Sequence, residues 1–313
     1  MARRALGPAT LAVVQAVSAL DAAAWLVACS GGADSVALDR AAHLVATSRG
    51  TSLRAVCVDH GLQPGSDAVA TGVVASLREA GLDAVAVRVA VGTRGGPEAA
   101  ARDARYAALE ASARPGERIL LGHTLDDQAE TVLLGLARGS GVRSLAGMPV
   151  ERGPFLRPLL GLGREVTAAC CAELGVEPWP DPMNTDRRFA RVRVREVVLP
   201  VLEAELGPGI REALARTADL SRAASDLVGA VSAGETLKNP GDCALLRGLA
   251  PGLRRQALRD WLGAAGAADV RAVHVDQVER LVVDWHGQRG VDVPGGRVSR
   301  IDGRLRWTPR ALG

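Results

Sequence analysis

The chain has 313 residues and a formal net charge of +3, with 48% hydrophobic and 23% charged residues. No apolar run is long enough to span a membrane, so the composition predicts a soluble protein, and a charge this small neither requires nor excludes nucleic acid as a partner. The five cysteines are scattered and form no C-x-x-C pair, which argues against a disulfide framework, a zinc site or an iron–sulfur cluster and favours the reducing cytoplasm.

The first predicted element is an amphipathic helix near the N-terminus. Polar residues interrupt it at Gln15, Ser18 and Asp21, which distinguishes it from a signal peptide. From residue 25 to about 137 strands alternate with helices. The predicted strands cover 25–29, 53–58, 84–90 and 119–122, and the predicted helices cover 36–48, 66–80 and 97–113, with a fourth beginning near 126. This alternation predicts an α/β fold with a parallel sheet covered on both faces.

Beyond residue 137 the regular alternation of predicted strands and helices ends. Residues 138–163 are rich in glycine and proline and are predicted to form a functional loop. A helix is predicted over 164–174, an irregular segment over 178–186, and a helix over 187–206 with a break at Pro200.

A linker at 207–209, Gly-Pro-Gly, predicts a boundary between two domains, 1–208 and 209–313. In the second domain, helices over 210–233, 251–264 and 273–285 precede three short strands. Asp302-Gly303 predicts a two-residue hairpin turn between the last two strands. We therefore expect a smaller α+β domain at the C-terminus.

Residues 30–35 read Ser-Gly-Gly-Ala-Asp-Ser and join the strand at 25–29 to the following helix. A glycine turn that leads into a helix gathers backbone N–H groups and the positive end of the helix dipole, which favours phosphate. Asp34 fits such a site if a divalent cation lies between its carboxylate and the phosphates. The loop lacks the Walker A ending and the G-x-G-x-x-G pattern, and it resembles the PP-loop of enzymes that split ATP between the α- and β-phosphates. The simpler alternative is an ordinary turn in which Ser or Asp caps the helix.

A second motif, Gly-His-Thr-Leu-Asp-Asp-Gln-Ala-Glu-Thr at 122–131, opens a helix with three acidic residues. Asp126 and Asp127 lie four and three residues before Glu130, so each can share a helix face with it. Carboxylates grouped beside a phosphate loop can hold a metal ion or an ammonium group. Thr124 and Asp127 also fit a helix capping box, which does not account for Asp126, Glu130 and His123 together.

A third motif, Ala-Arg-Asp-Ala-Arg-Tyr at 101–106, places Arg102 and Arg105 on one helix face. Near a phosphate loop, such arginines can stabilise the charge of a transferring phosphoryl group. The alternative is an exposed helix face with weak ion pairs.

A fourth motif places five arginines between residues 187 and 195. On the predicted helix, the arginines at 187 or 188, 191 and 195 would lie along one side. That side can follow a nucleic-acid backbone, or it can be a solvated basic face.

Together these motifs resemble those of tRNA(Ile)-lysidine synthetases, a family of the PP-loop ATP pyrophosphatase superfamily. The resemblance is dense from residue 25 to about 225 and fits the short form of the family. It is carried by 30–35, 58–62, 101–106, 122–131, 136–141, 145–148, 157–159 and 181–195. It implies a parallel-sheet PP-loop domain (adenine nucleotide α-hydrolase-like) followed by a smaller α+β domain that binds tRNA.

The resemblance also implies a two-step ligation. ATP adenylates carbon 2 of the wobble cytidine of a tRNA(Ile) with a CAU anticodon, and free L-lysine then displaces AMP to give lysidine. The residues implied for ATP are Ser30, Gly31, Gly32, Ala33, Asp34, Ser35, His60 and Gly122, with Asp34 also holding Mg²⁺. Those implied for lysine are Asp127 and Glu130, those for the developing charge are Arg105 and Arg195, and those for tRNA are Arg187, Arg188 and Arg191.

Two positions depart from the family pattern, because Met183 stands where serine is usual and Val192 where asparagine is usual. One alternative is a PP-loop tRNA thiolase, although such enzymes usually use paired cysteines. Another is a non-catalytic tRNA-binding protein on the same fold, in which we expect Asp34, Ser35, Asp127 or Glu130 to be lost, whereas all four are present. The sequence leaves a homodimer open.

Overall fold

The structure is a computed structural model that describes residues 6–61, 63–92, 97–139, 142–236, 241–267 and 269–310. The chain forms two compact units. The first comprises Met1–Leu133 with Met148–Ala215, and the second comprises Leu134–Gly147 with Arg216–Gly313. The boundary at 208/209 stays a prediction. Across the described residues, no helix has the length and apolarity needed to cross a membrane.

A six-stranded sheet forms the centre of the first unit, in the order β3-β2-β1-β4-β6-β5. Neighbouring strands pair in parallel from β3 to β6, and β5 joins the edge antiparallel. The parallel sheet is as predicted. The strands are β1 (Ala24–Ala28), β2 (Ser52–Asp59), β3 (Asp83–Arg88), β4 (Arg118–Leu121), β5 (Glu151–Arg152) and β6 (Phe155–Leu156).

Helices cover both faces of this sheet. The buried side chains of Trp25 and Val27 pack in a core that includes residues of the first, second and seventh helices, whereas Leu26 packs on the other face against Leu109. Successive side chains of β1 thus point to opposite faces of the sheet, as they do in any β-strand. The helices up to residue 173 are α1 (Pro8–Ser18), α2 (Ala33–Arg49), α3 (Ser66–Glu79), α4 (Pro97–Ser112), α5 (Leu125–Ala137), α6 (Val142–Leu145) and α7 (Arg164–Glu173).

Two sequence predictions are wrong in this region. The segment 138–163 is not only a loop, because it contains α6 and the strands β5 and β6. The helix predicted over 187–206 begins at Ala190. It consists of α8 (Ala190–Arg193), a π-helix over Val194–Val198, and α9 (Leu199–Leu206). No break occurs at Pro200, since the π-helical turn before it accommodates the missing proline N–H.

The second unit has its own core and an antiparallel three-stranded sheet. Its helices pack around fully buried Leu246, Leu258 and Leu262. Asp302 and Gly303 both have positive φ, at 48° and 73°, and form the predicted hairpin turn. The elements are α10 (Ile210–Thr236, which begins in the first unit), α11 (Cys243–Gly248), α12 (Pro251–Ala264), α13 (Ala272–Val283), β7 (Val291–Val293), β8 (Gly296–Ile301) and β9 (Arg304–Pro309).

Candidate active site

The loop at 30–35 connects β1 to α2 at the carboxyl edge of the sheet. Gly31 has φ of +87°, a conformation that favours glycine. Ser35 closes the loop, because its hydroxyl donates to the Gly32 carbonyl at 2.9 Å and accepts from the Ser30 N–H at 3.1 Å. No side chain caps the N-terminus of α2 at Gly32. The first N–H groups of the helix therefore face outward, as anion binding requires.

Gly122 lies against this loop at the end of β4. A Cβ atom at Gly122 would lie 3.0 Å from the Asp34 carbonyl oxygen and 3.1 Å from the Ser35 nitrogen. Backbone cannot yield as a flexible side chain can, so a larger residue would push the loop away. The structure thus brings the first and second motifs into direct contact.

Four carboxylates and four arginines meet beside the loop. We call the carboxylates Asp34, Asp126, Asp127 and Glu130 the acid cluster. Arg164 joins three of them through its guanidinium, with Nε 3.3 Å from Asp34 Oδ2, Nη2 2.6 Å from Asp127 Oδ1 and Nη1 3.2 Å from Glu130 Oε1. Its backbone N–H donates to Asp126 at 2.8 Å. The cluster is therefore assembled around one guanidinium.

Glu130 is fully buried and is surrounded by arginines. Besides Arg164, Arg195 donates through Nε to Oε1 at 2.7 Å and through Nη2 to Oε2 at 3.3 Å. Arg191 forms a further ion pair with Oε2 at 3.6 Å. A carboxylate with no exposure needs such partners to remain charged.

Asp127 serves two purposes at once. Its Oδ2 accepts from the N–H and the hydroxyl of Thr124, at 2.9 and 3.1 Å, so the predicted capping interaction exists. Its Oδ1 accepts from Arg164. Burial alone would raise the pKa of Asp127, but the nearby Arg164 charge holds that pKa below its usual value. Asp127 is therefore ionised at neutral pH.

Asp34 lies in the first turn of α2 and accepts hydrogen bonds from Arg164 and from the Thr167 hydroxyl. Burial raises the pKa of this carboxyl, and the Thr167 hydrogen bond and Arg164 oppose that rise. Its side chain keeps 22% of its surface exposed. This exposure is compatible with the predicted role as a Mg²⁺ ligand.

Near the acid cluster lies a group of basic residues that we call the basic wall: His60, Arg102, Arg105, His123 and Arg157. Buried atoms without a hydrogen-bond partner among the described residues include Nδ1 of both histidines and Nε of Arg105 and Arg157. Burial lowers the pKa of His123 to about 3 and, with the Arg105 charge, also lowers the pKa of His60. These imidazoles are neutral at pH 7, and the wall retains unused donors.

Tyr106 organises the basic wall. Arg157 donates to its hydroxyl at 3.1 Å, and the guanidinium carbons of Arg102 and Arg105 lie 5.1 and 5.8 Å from its ring centroid. Its ring meets Phe155 edge-on at 4.7 Å. Tyr106 thus fixes three arginines by a hydrogen bond and by cation–π contact.

The chain is similar to known proteins over most of its length. Residues 9–202 match the family described as the PP-loop domain, and residues 242–306 match the TilS substrate binding domain. The chain is 50% identical over 296 residues to a tRNA(Ile)-lysidine synthase of Leifsonia xyli subsp. xyli, covering 91% of this chain and 89% of that protein. A tRNA(Ile)-lysidine synthase of Thermobifida fusca is 51% identical over 294 residues, covering 90% of each chain.

The chain belongs to the tRNA(Ile)-lysidine synthase family. A solved structure of the U34-tRNA thiolase NcsA from Methanococcus maripaludis is also similar, with a TM-score of 0.53, 19% identity, and coverage of 68% of this chain and 78% of that one. At this identity the similarity concerns the fold alone.

In this member of the synthase family the arginine run does not form one basic face. Arg187 and Arg188 lie before α8, are 68% and 87% exposed, and pair with Glu196 and Asp186. Arg191 and Arg195 instead point to Glu130. The expected single stripe is wrong because the backbone turns at Asp186, whose carboxylate accepts the Arg188 N–H at 2.9 Å. The tRNA contacts of Arg187, Arg188 and Arg191 stay predictions.

Sequence reasoning missed Arg164, Thr167 and Arg157 as site residues. One local feature could have pointed to Arg164 as a site residue: it is the first residue of α7. A cation at a helix N-terminus opposes the helix dipole, so such an arginine needs a specific anionic partner. Its partners lie about 34 to 130 positions away in sequence, beyond the reach of any periodic pattern.

Proposed function

We propose that this chain ligates L-lysine to the wobble cytidine of a tRNA(Ile) with a CAU anticodon. ATP would be converted to AMP and pyrophosphate through an adenylated cytidine, which makes the enzyme a ligase that forms a carbon–nitrogen bond. One observation carries the proposal: the phosphate-binding loop and the acidic pair Asp127 and Glu130 are bridged within 3.3 Å by Arg164. An activating nucleotide and an amine substrate would therefore bind side by side.

The loop residues 30–35 would bind the ATP phosphates, with Gly122 and His60 beside them. Support comes from the uncapped N-terminus of α2 and from the positive φ of Gly31, since both leave N–H groups open to an anion. A Cβ at Gly122 would lie 3.0 Å from the Asp34 backbone, so a glycine at this position leaves the loop undisturbed.

Mg²⁺ would be held by Asp34 together with ATP phosphates. Mg²⁺ commonly takes one or two carboxylates plus substrate oxygens, and no described residues form a complete three-ligand metal group of His, Cys, Asp and Glu. The partly exposed Asp34 carboxylate fits that requirement. When bound, the ion would neutralise phosphate charge during adenylation.

The acid cluster would bind the substrate amine. A free ε-amine has a pKa of about 10.4, so lysine arrives as an ammonium ion, which ionised Asp127 attracts. Asp127 has a lowered pKa, so it is a weak base and is suited to orienting the amine. The nitrogen must lose a proton before it attacks carbon 2, where a C–N bond forms as the C–O bond to AMP breaks.

Arg105 of the basic wall, together with Arg195 beside Glu130, would stabilise the charge that develops as the cytidine is activated. Arg105 has an unused buried Nε, and Arg195 is fixed by two hydrogen bonds to Glu130. Preorganised donors of this kind stabilise a transition state without reorganising. Exposed Arg187 and Arg188 would contact the tRNA backbone, and a reaction on tRNA would take place in the cytoplasm.

Nucleoside mass spectrometry tests the proposal against its rivals. The full chain is incubated with the CAU-anticodon tRNA, ATP, Mg²⁺ and L-lysine, and the tRNA is digested to nucleosides. We expect cytidine to gain the mass of lysine minus water. A sulfur-for-oxygen mass change with added sulfide would support a thiolase, and an unchanged nucleoside with intact tRNA binding would support a non-catalytic protein.

A further inference from the structure

The guanidinium group of Arg164 occupies the places beside the carboxylates that an ammonium group of the substrate would need. Three of its nitrogens contact Asp34, Asp127 and Glu130, at 3.3, 2.6 and 3.2 Å. An ammonium group also has three N–H donors and no acceptor. Arg164 and the substrate therefore require the same oxygen atoms.

The remaining oxygen positions are already used. Asp127 Oδ2 accepts two hydrogen bonds from Thr124, which leaves Oδ1, where Arg164 binds. Glu130 accepts from Arg195 through both oxygens and has no exposed surface. Every oxygen of this pair therefore already accepts at least one hydrogen bond, and an ammonium nitrogen that approaches Asp127 Oδ1 meets Arg164 Nη2 there.

Each carboxylate of the acid cluster is already paired with an arginine in the absence of substrate. Asp34, Asp126, Asp127 and Glu130 carry four negative charges, and four arginines pair with them, namely Arg164, Arg191, Arg195 and Arg211. Of these four, Arg164 is the one within ion-pair distance of Asp127. Carboxylates that are already paired with arginines gain little by admitting another cation unless one cation leaves.

The position of Arg164 in its helix is unfavourable by itself. This residue begins α7, where the positive end of the helix dipole repels a cation. Burial alone would lower the pKa of Arg164, but Asp127 and Glu130 raise it above its usual value. The acid cluster therefore keeps the guanidinium charged and in place, and a competing cation on the same carboxylates weakens that hold.

We propose that Arg164 is an internal competitor for the substrate ammonium, so that free L-lysine binds Asp127 and Glu130 by displacing the Arg164 guanidinium. This inference rests on the proposed function, in which that pair holds lysine. The affinity for lysine is then the difference between two competing cations, and Arg164 is a specificity-determining residue that a ligand without a positive charge cannot displace.

Calorimetric titration of the full chain with L-lysine tests the competition. Arg164→Gln keeps a polar side chain but removes the charge, and we expect its Kd for lysine to fall at least tenfold. The matched control is Arg118→Gln, because Arg118 also binds a carboxylate at 2.6 Å and has a similar exposed fraction, 28% against 26%. Its Kd should equal that of the wild type. An unchanged or weaker affinity of Arg164→Gln overturns the proposal.

A second measurement uses the wild-type protein and does not depend on folding of the variant. A crystal structure with L-lysine should place an ammonium nitrogen within hydrogen-bond distance of Asp127 Oδ1, with Arg164 Nη2 no longer there. Lysine bound elsewhere, with the Arg164 contacts intact, overturns the inference. The proposed function has its own readout: if the wild type ligates no lysine to tRNA, that function fails, whereas ligation with no tightening in Arg164→Gln refutes the competition alone.

Discussion

Replacing Glu130 by glutamine should lower both stability and lysine use. The Glu130 side chain has no exposed surface, and it holds the charges of Arg164, Arg191 and Arg195. Breaking a buried ion pair by removing one partner costs about 3–5 kcal/mol. The three arginines each keep about a quarter of their side chains exposed, so water compensates them in part and we expect the low end, about 3 kcal/mol.

Thermal unfolding measures that cost. For a unit of this size, about 3 kcal/mol corresponds to a fall in Tm of about 6–12 °C. The control is Glu151→Gln, which removes an equally short arginine contact, 2.6 Å to Arg118, at a carboxylate that is 61% exposed. Exposed pairs contribute about 0–1 kcal/mol, so the control should lose at most about 4 °C. Equal Tm values for the two variants would refute the buried-network reasoning.

The same Glu130 variant, assayed well below its Tm, separates two roles for the carboxylate. Because Glu130 contacts Arg164 and Arg195 and not the phosphate loop, we expect a large rise in KM for lysine and little change in affinity for ATP. Equal losses for lysine and ATP would show that Glu130 acts on the nucleotide or its metal.

Three further predictions concern other parts of the first unit. Asp39 is fully buried beside a cavity of about 240 Å³, neither of its oxygens has a hydrogen-bond partner among the described residues, and burial raises its pKa from 3.8 to about 7. Because the folded pKa exceeds the unfolded value, the protonated Asp39 carboxyl contributes its full stability below about pH 4. That contribution to the free energy of unfolding, up to about 4 kcal/mol, is lost as the pH rises through 7. Asp39→Asn should therefore gain Tm over the wild type at pH 8 but not at pH 4, and an equal Tm difference at both pH values would contradict this. Gly122→Ala should weaken binding of an ATP analogue at least tenfold. The control Gly72→Ala should not, because a Cβ there meets nothing within 4 Å. Equal affinities of the two variants would show that the loop accommodates the added methyl group. Replacing exposed Arg187 and Arg188 by alanine should reduce the slope of log affinity for tRNA against log salt by about two, and an unchanged slope would assign both residues to a solvated face.

The sequence predicted the parts of the fold that local patterns encode. The strand at 25–29 is a continuous apolar run, the strand at 53–58 is apolar except for Arg54, and they appear as β1 and β2. The hairpin at Asp302-Gly303 follows from turn chemistry alone. In contrast, β5 and β6 have two residues each, too few for any alternation to be visible.

The site was predictable only in part, for a different reason. The loop and the acidic motif are contiguous in sequence, and β4 ends beside β1 because parallel strands bring their carboxyl ends together. Arg164 and Arg157 reach the site from later elements, so tertiary structure alone places them. Arg191 was expected on an exposed stripe, but the turn at Asp186 shifts the helix start to Ala190 and directs Arg191 to Glu130.

The most direct test of the central claim is incorporation of radiolabelled L-lysine into a CAU-anticodon isoleucine tRNA transcript with ATP and Mg²⁺. The control transcript carries a different base at the wobble position. We predict label in the unaltered tRNA alone, with AMP and pyrophosphate released in equal amounts. Pyrophosphate release without label would contradict lysine as the nucleophile, and label in both transcripts would contradict the wobble cytidine as the acceptor.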